Sequence, residues 1–120
     1  AAATVAQVRA LLQAGVTQDV TLVAMGLAGA EPCVEDRLCA DLLEARLQGR
    51  SFALEQIEPR LRATPAGALF ADPRYEWAPA ADFDLCIAVD RCAIAAQLQR
   101  AGDGLWSLVP ANGAAAFIAM

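Results

Sequence analysis

Six consecutive residues, VTLVAM at positions 20 to 25, constrain this chain more than any other stretch. All but Thr21 are apolar, the run closes on Gly26, and its apolarity is continuous rather than alternating, as in a strand covered on both faces. Such a strand belongs in a parallel sheet flanked by helices, and the neighbouring sequence supplies the candidates. Before it, Thr4 can cap a helix whose apolar face is Val5, Val8, Leu11 and Leu12, with Gly15 as terminator. After it, a helix is expected over about 34 to 48, with Leu38, Cys39, Leu42, Ala45 and Leu47 facing the core and Gly49 ending it. SFALEQIEPRLRAT predicts a further helix capped by Ser51 and ended or kinked by Pro59 near Glu58.

Beyond Pro65 the patterns weaken. PAGALFADPRYEWAP, residues 65 to 79, has no period and reads as an ordered loop with a short turn. In DFDLCIAVD, residues 82 to 90, Phe83, Cys86, Ile87 and Asp90 fit helical spacing, although LCIAV alone fits a buried strand; helix is the reading taken. A strand near 93 to 97, a turn at Asp103 and Gly104, and LWSLV at 105 to 109 form an expected hairpin, and the tail AAAFIAM is apolar enough to require cover. Helix, strand, helix, helix in alternation argues for a layered α/β unit spanning residues 1–120.

Composition narrows the function classes. With 58% hydrophobic and 19% charged residues in 120, a packed unit with one core is expected, aliphatic because aromatics are only 6%. The net charge of -5, with nine scattered arginines and no histidine, disfavours nucleic acid as a partner. No apolar stretch approaches the roughly 20 residues that span a bilayer, and no signal-type block opens the chain, so a cytoplasmic location with no membrane partner is expected. The beginning AAATVAQVRALL lacks a methionine and is periodic almost at once, as if an earlier part had been removed. Cys33 and Cys39, like Cys86 and Cys92, are six apart, which turns the side chains to different helix faces; they are expected to be reduced, buried small hydrophobes rather than a metal site.

Candidate chemistry centres on the acidic pair Glu35 and Asp36. If VTLVAM is a parallel strand, the loop from Gly26 to Val34 leaves its carboxyl end, where open α/β sheets place their ligands. Glu35 then lies on the inward stripe with Cys39 and Leu42, and Asp36 is rotated from it by about 100°. An inward carboxylate at such an edge calls for a cation, a donor network or a proton, and Mg²⁺ held by one or two carboxylates plus a substrate phosphate is the usual arrangement. Gly26 and Gly29 would let the backbone approach a ligand closely. The plainer alternative is that both acids complement the helix dipole, worth about 0.3 to 1 kcal/mol. Asp90 and Arg91 can likewise be a solvated end of an element, and Arg37 with Asp41 a weak surface pair.

The order VTLVAMG, a variable loop, then VEDRLCADLLEARLQG, followed later by LCIAVDRCAIAAQLQRAGDGLWSLVPA, resembles the second half of the 2-phosphosulfolactate phosphatase family. The resemblance implies a three-layer α/β/α fold with a mixed, mainly parallel sheet, of which this chain would be one half. It implies Mg²⁺-dependent hydrolysis of a small anionic substrate, a phosphorylated sulfo-hydroxy acid, in a homodimer or in association with an N-terminal half. In the matching motifs Glu35 and Asp36 take the acidic pair, as metal ligands or as the base orienting water, and Asp90 takes the closing aspartate, as a ligand or supporting group. Arg37 and Arg91 would hold phosphate or sulfonate, and Gly26 would approach the substrate. Asp41 departs from the family by replacing the glycine of a Cys-Ala-Gly step, Pro32 and Cys33 stand in a loop that tends to be polar, and Ala96 replaces a proline. The family's first half carries further Asp- and Arg-containing motifs not found here, so no turnover is expected from this chain alone. Two other readings stand beside this one: a non-catalytic anion-binding or assembly module that keeps the fold, and a structural domain whose apolar tail docks a partner chain.

Overall fold

A computed structural model describes residues 1–102 and 104–111. Five α-helices and one two-stranded antiparallel sheet are formed among them. The three-layer, mainly parallel α/β/α architecture is therefore overturned. The residues expected to nucleate it, Val20 to Met25, run outside any strand and are exposed along their whole length. β-Branched composition makes a segment able to extend, but a strand exists only where a neighbour completes the ladder, and among the described residues none does so.

The chain divides into two compact units, one made of Ala1–Val20 with the segment from Asp90 onward, the other of Thr21–Val89. In the first, α1 (Ala2–Gln13) buries Val5. It starts earlier than Thr4 and without a side-chain cap, and closes by two bonds, from the Gly15 N–H to the Leu12 carbonyl (3.1 Å) and from the Val16 N–H to the Leu11 carbonyl (3.0 Å). β1 (Ala96–Arg100) and β2 (Trp106–Pro110) form the expected hairpin, with Leu98 opposite Leu108, although β1 begins later than the sequence suggests. Its turn includes Asp103, which lies outside the described residues, as does the tail AAAFIAM.

The second unit is helical. α2 (Val34–Leu47) matches its expected span and buries Leu38, Leu42 and Ala45, a stripe at helical spacing. Gly49, at φ +70°, donates to the Arg46 carbonyl and Arg50 to the Ala45 carbonyl, so the terminator behaves as its sequence implies. A 3₁₀ turn at Leu54–Gln56 leads into α3 (Ile57–Arg62), and Pro59 is the third residue of that helix rather than its end. In the first turn a backbone N–H has no intrahelical partner to lose, so the proline is accommodated. Instead of a loop, residues after Thr64 form α4 (Pro65–Leu69): the Thr64 hydroxyl accepts the Gly67 N–H at 2.9 Å and Pro65 takes the first helical position. α5 (Ala80–Ile87) bears out the helical choice there and buries Phe83.

Two contacts fix the packing of this unit. A Cβ on Gly67 would stand 2.0 Å from the Leu61 carbonyl oxygen, so α3 and α4 approach as closely as they do because that position has no side chain. Arg62 stacks over Phe83, 4.2 Å from the ring centroid, while pairing with Glu58 at 2.8 Å and Asp84 at 3.4 Å, which ties α3 to α5. Phe70 meets Phe83 at a tilted 5.6 Å. The cysteines depart from expectation: all four are free thiols, but Cys39, Cys86 and Cys92 are exposed and Cys33 only half-buried.

Candidate functional site: two carboxylates on two flanks of one helix

The acidic pair opens α2, where the chain has just left a tight turn. Leu27 and Glu31 bridge across that turn, the Leu27 N–H reaching the Glu31 carbonyl at 2.7 Å. Gly26 lies at φ +71°, and a Cβ there would stand 2.2 Å from the Glu31 carbonyl oxygen. The close approach expected at this glycine is thus made by the chain's own backbone.

Asp36 holds the turn from the other side. Its Oδ2 accepts the Gly26 N–H at 2.6 Å, a bond spanning ten residues. Together with Leu22, Val23, Met25, Cys39 and Leu43 it lines a hollow of about 140 Å³ between residues 22–25 and α2. Positions 36, 39, 40 and 43 recur at helical spacing and form the flank of α2 that faces that segment.

Glu35 belongs to the other flank. It is exposed and lines a second cavity, of about 240 Å³, with Leu61, Phe70, Phe83, Cys86 and Ile87. Among the described residues its carboxylate has no ion pair or hydrogen bond. Neighbours in sequence, the two acids thus open on different hollows, as the rotation of about 100° between successive helical positions requires. Their charge is felt at Cys33: the Asp36 backbone favours the thiolate, but desolvation and the Asp36 and Glu35 carboxylates outweigh it and push the thiol above its ordinary value.

Among the other sequence candidates, Arg37 projects into solvent and pairs with Asp41 at 2.8 Å, as its spacing suggested. Asp90, in the first unit, takes φ +67°, accepts the Ala2 N–H and lies 3.4 Å from the Ala1 amine. Arg91 beside it is exposed. Sequence reasoning missed the contributions of α4 and α5 to the cavity at Glu35; the signal was Thr64-Pro65, a cap followed by a first-turn proline.

Mg²⁺ wants octahedral oxygen ligands from convergent carboxylates and substrate. Here one carboxylate is engaged by a backbone amide and its neighbour opens on an apolar cavity, and no cluster of three His, Cys, Asp or Glu among the described residues could hold a metal ion. The residues of this chain do not by themselves fit the ion. No helix among the described residues is long and apolar enough to cross a membrane. No family model, curated protein or solved structure matches this chain.

Proposed function

We propose that this chain is an assembly module that acts joined to a second copy of itself through the exposed, unpaired segment Thr21–Met25. The observation behind the reading is the state of that segment. Its residues are all exposed, Val23 at 70% and Met25 at 68%, and among the described residues its backbone N–H and C=O groups have no hydrogen-bond partner. Natural sheet edges are blunted with lysine, proline or bulges, and TLVAM contains none of these. An exposed, apolar, unpaired segment of strand-forming composition is a template for strand addition, and antiparallel pairing of two copies about Val23 would satisfy the facing backbone groups of both through one symmetric interface. Light scattering should find a dimer, and Val23→Pro, which removes an N–H from the centre of the pairing, should give a monomer of unchanged helicity. A monomer in the unsubstituted protein at all concentrations tested would overturn the proposal.

The hydrolase implied by the family resemblance is a second reading, for the assembled protein only. What favours it is the Asp36–Gly26 bond, which joins the glycine closing VTLVAMG directly to the acidic pair. In that reading the substrate is a small phosphorylated sulfo-hydroxy acid, and Glu35, Asp36, Arg37, Asp90 and Arg91 are the residues to substitute. Phosphate release with and without Mg²⁺, from the assembled protein and from its Glu35→Gln variant, is the measurement. Equal turnover by the two removes Glu35 from the chemistry, and no release with Mg²⁺ from the assembled protein removes the hydrolase reading.

A further inference from the structure

The larger cavity of the helical unit supports an inference independent of the hydrolase reading. Its wall is largely apolar, with Leu61, Phe70, Phe83 and Ile87, and Glu35, itself exposed, is part of the same lining. The Thr64 hydroxyl, also in the wall, is already committed, donating to the Leu61 carbonyl at 2.7 Å and accepting the Gly67 N–H. Glu35 is therefore the charged group this cavity offers to a ligand. The nearby cation, Arg62, is occupied by Glu58, by Asp84 and by the face of Phe83.

Size and charge together select a class of ligand. An engineered apolar cavity of about 150 Å³ in another protein admits benzene. At about 240 Å³ this one has room for a ring and a short chain, and it is smaller than the usual site for a drug-sized molecule. A carboxylate without a partner at an apolar opening repels anions and attracts cations.

We propose that the cavity between α2, α3, α4 and α5 binds a small arylalkyl ammonium, with the ring against the wall that Phe70, Phe83 and Ile87 contribute to and the ammonium at the Glu35 carboxylate. The probe is 2-phenylethylammonium, titrated into methyl-labelled protein and followed at the Leu61 and Ile87 methyl resonances. Ethylbenzene and phenylacetate serve as the neutral and anionic isosteres. Saturable shifts are expected, strongest with the ammonium and weakest with phenylacetate. Glu35→Gln, a change at an exposed position, should weaken the ammonium by about threefold, the scale of an exposed ion pair, and leave ethylbenzene unchanged. Ala66→Leu, which adds bulk to the cavity wall, should weaken all three. Phenylacetate binding as tightly as the ammonium, an unchanged ammonium affinity in Glu35→Gln, or no saturable shift at those methyls would each overturn the proposal.

Discussion

The Asp36 carboxylate accepts the backbone N–H of Gly26 at 2.6 Å, so the first turn of α2 holds the turn that precedes it. A charged acceptor on a half-buried amide is among the stronger single hydrogen bonds, worth about 1.5–3 kcal/mol. Asp36→Ala should lower unfolding stability by about 1–2 kcal/mol in urea, toward the low end because water reaches the site. Asp36→Asn, which keeps an acceptor, should recover part of that loss.

Two glycines of the same loop separate space from backbone conformation. Gly26 and Gly29 both have φ near +70°, but only at Gly26 does a Cβ meet backbone. Gly29→Ala should cost about 1–2 kcal/mol for the left-handed conformation alone. Gly26→Ala should cost more, because the Glu31 carbonyl must move as well, and thermal denaturation of the two variants side by side gives the difference.

Gly67→Ala tests the approach of α3 and α4. The added methyl would fall on the Leu61 carbonyl oxygen, so the helices must part. Overpacking of this kind costs about 1–3 kcal/mol. The same substitution should also alter the cavity beside Phe70, visible as a changed response of the Leu61 methyls to 2-phenylethylammonium.

Acid should weaken one surface pair in a defined direction. Side-chain and then backbone hydrogen bonds from Arg74 hold the Asp72 carboxyl below its ordinary value. A depressed folded-state pKa adds stability that is present above the ordinary carboxylate range and is lost as pH falls through the folded value. Asp72→Asn should therefore flatten the acid limb of the stability profile and leave the pH dependence above neutrality unchanged.

Thiol reactivity should follow exposure and charge. Cys39, Cys86 and Cys92 are exposed, whereas Cys33 is half-buried, and although the Asp36 backbone favours its thiolate, burial and the neighbouring carboxylates push the thiol above its ordinary value. Timed alkylation at neutral pH, read by peptide mass spectrometry, should label Cys33 last. Glu35→Gln should speed its labelling.

Legibility in the sequence followed the range of the interactions. α2 and its end at Gly49 depend on contacts within a few residues, and their patterns could be read directly. The 105–109 strand and its hairpin carried local turn chemistry and were likewise legible. VTLVAM was misread because a strand is completed by a partner, and side-chain composition says nothing about whether that partner is present. Pro59 was misplaced because its tolerance depends on where the helix starts, two residues earlier at Ile57. At the acidic pair, the spacing showed that Glu35 and Asp36 point apart by about 100°. What each would face was set by α4 and α5, distant in sequence, and by a backbone amide ten residues upstream.

Adjacent carboxylates on separate flanks make the opening turn of α2 a partition. The Leu22–Met25 side and the Phe70–Phe83 side lie on different flanks one residue apart, so an engineer could install unrelated specificities back to back on a single helical turn.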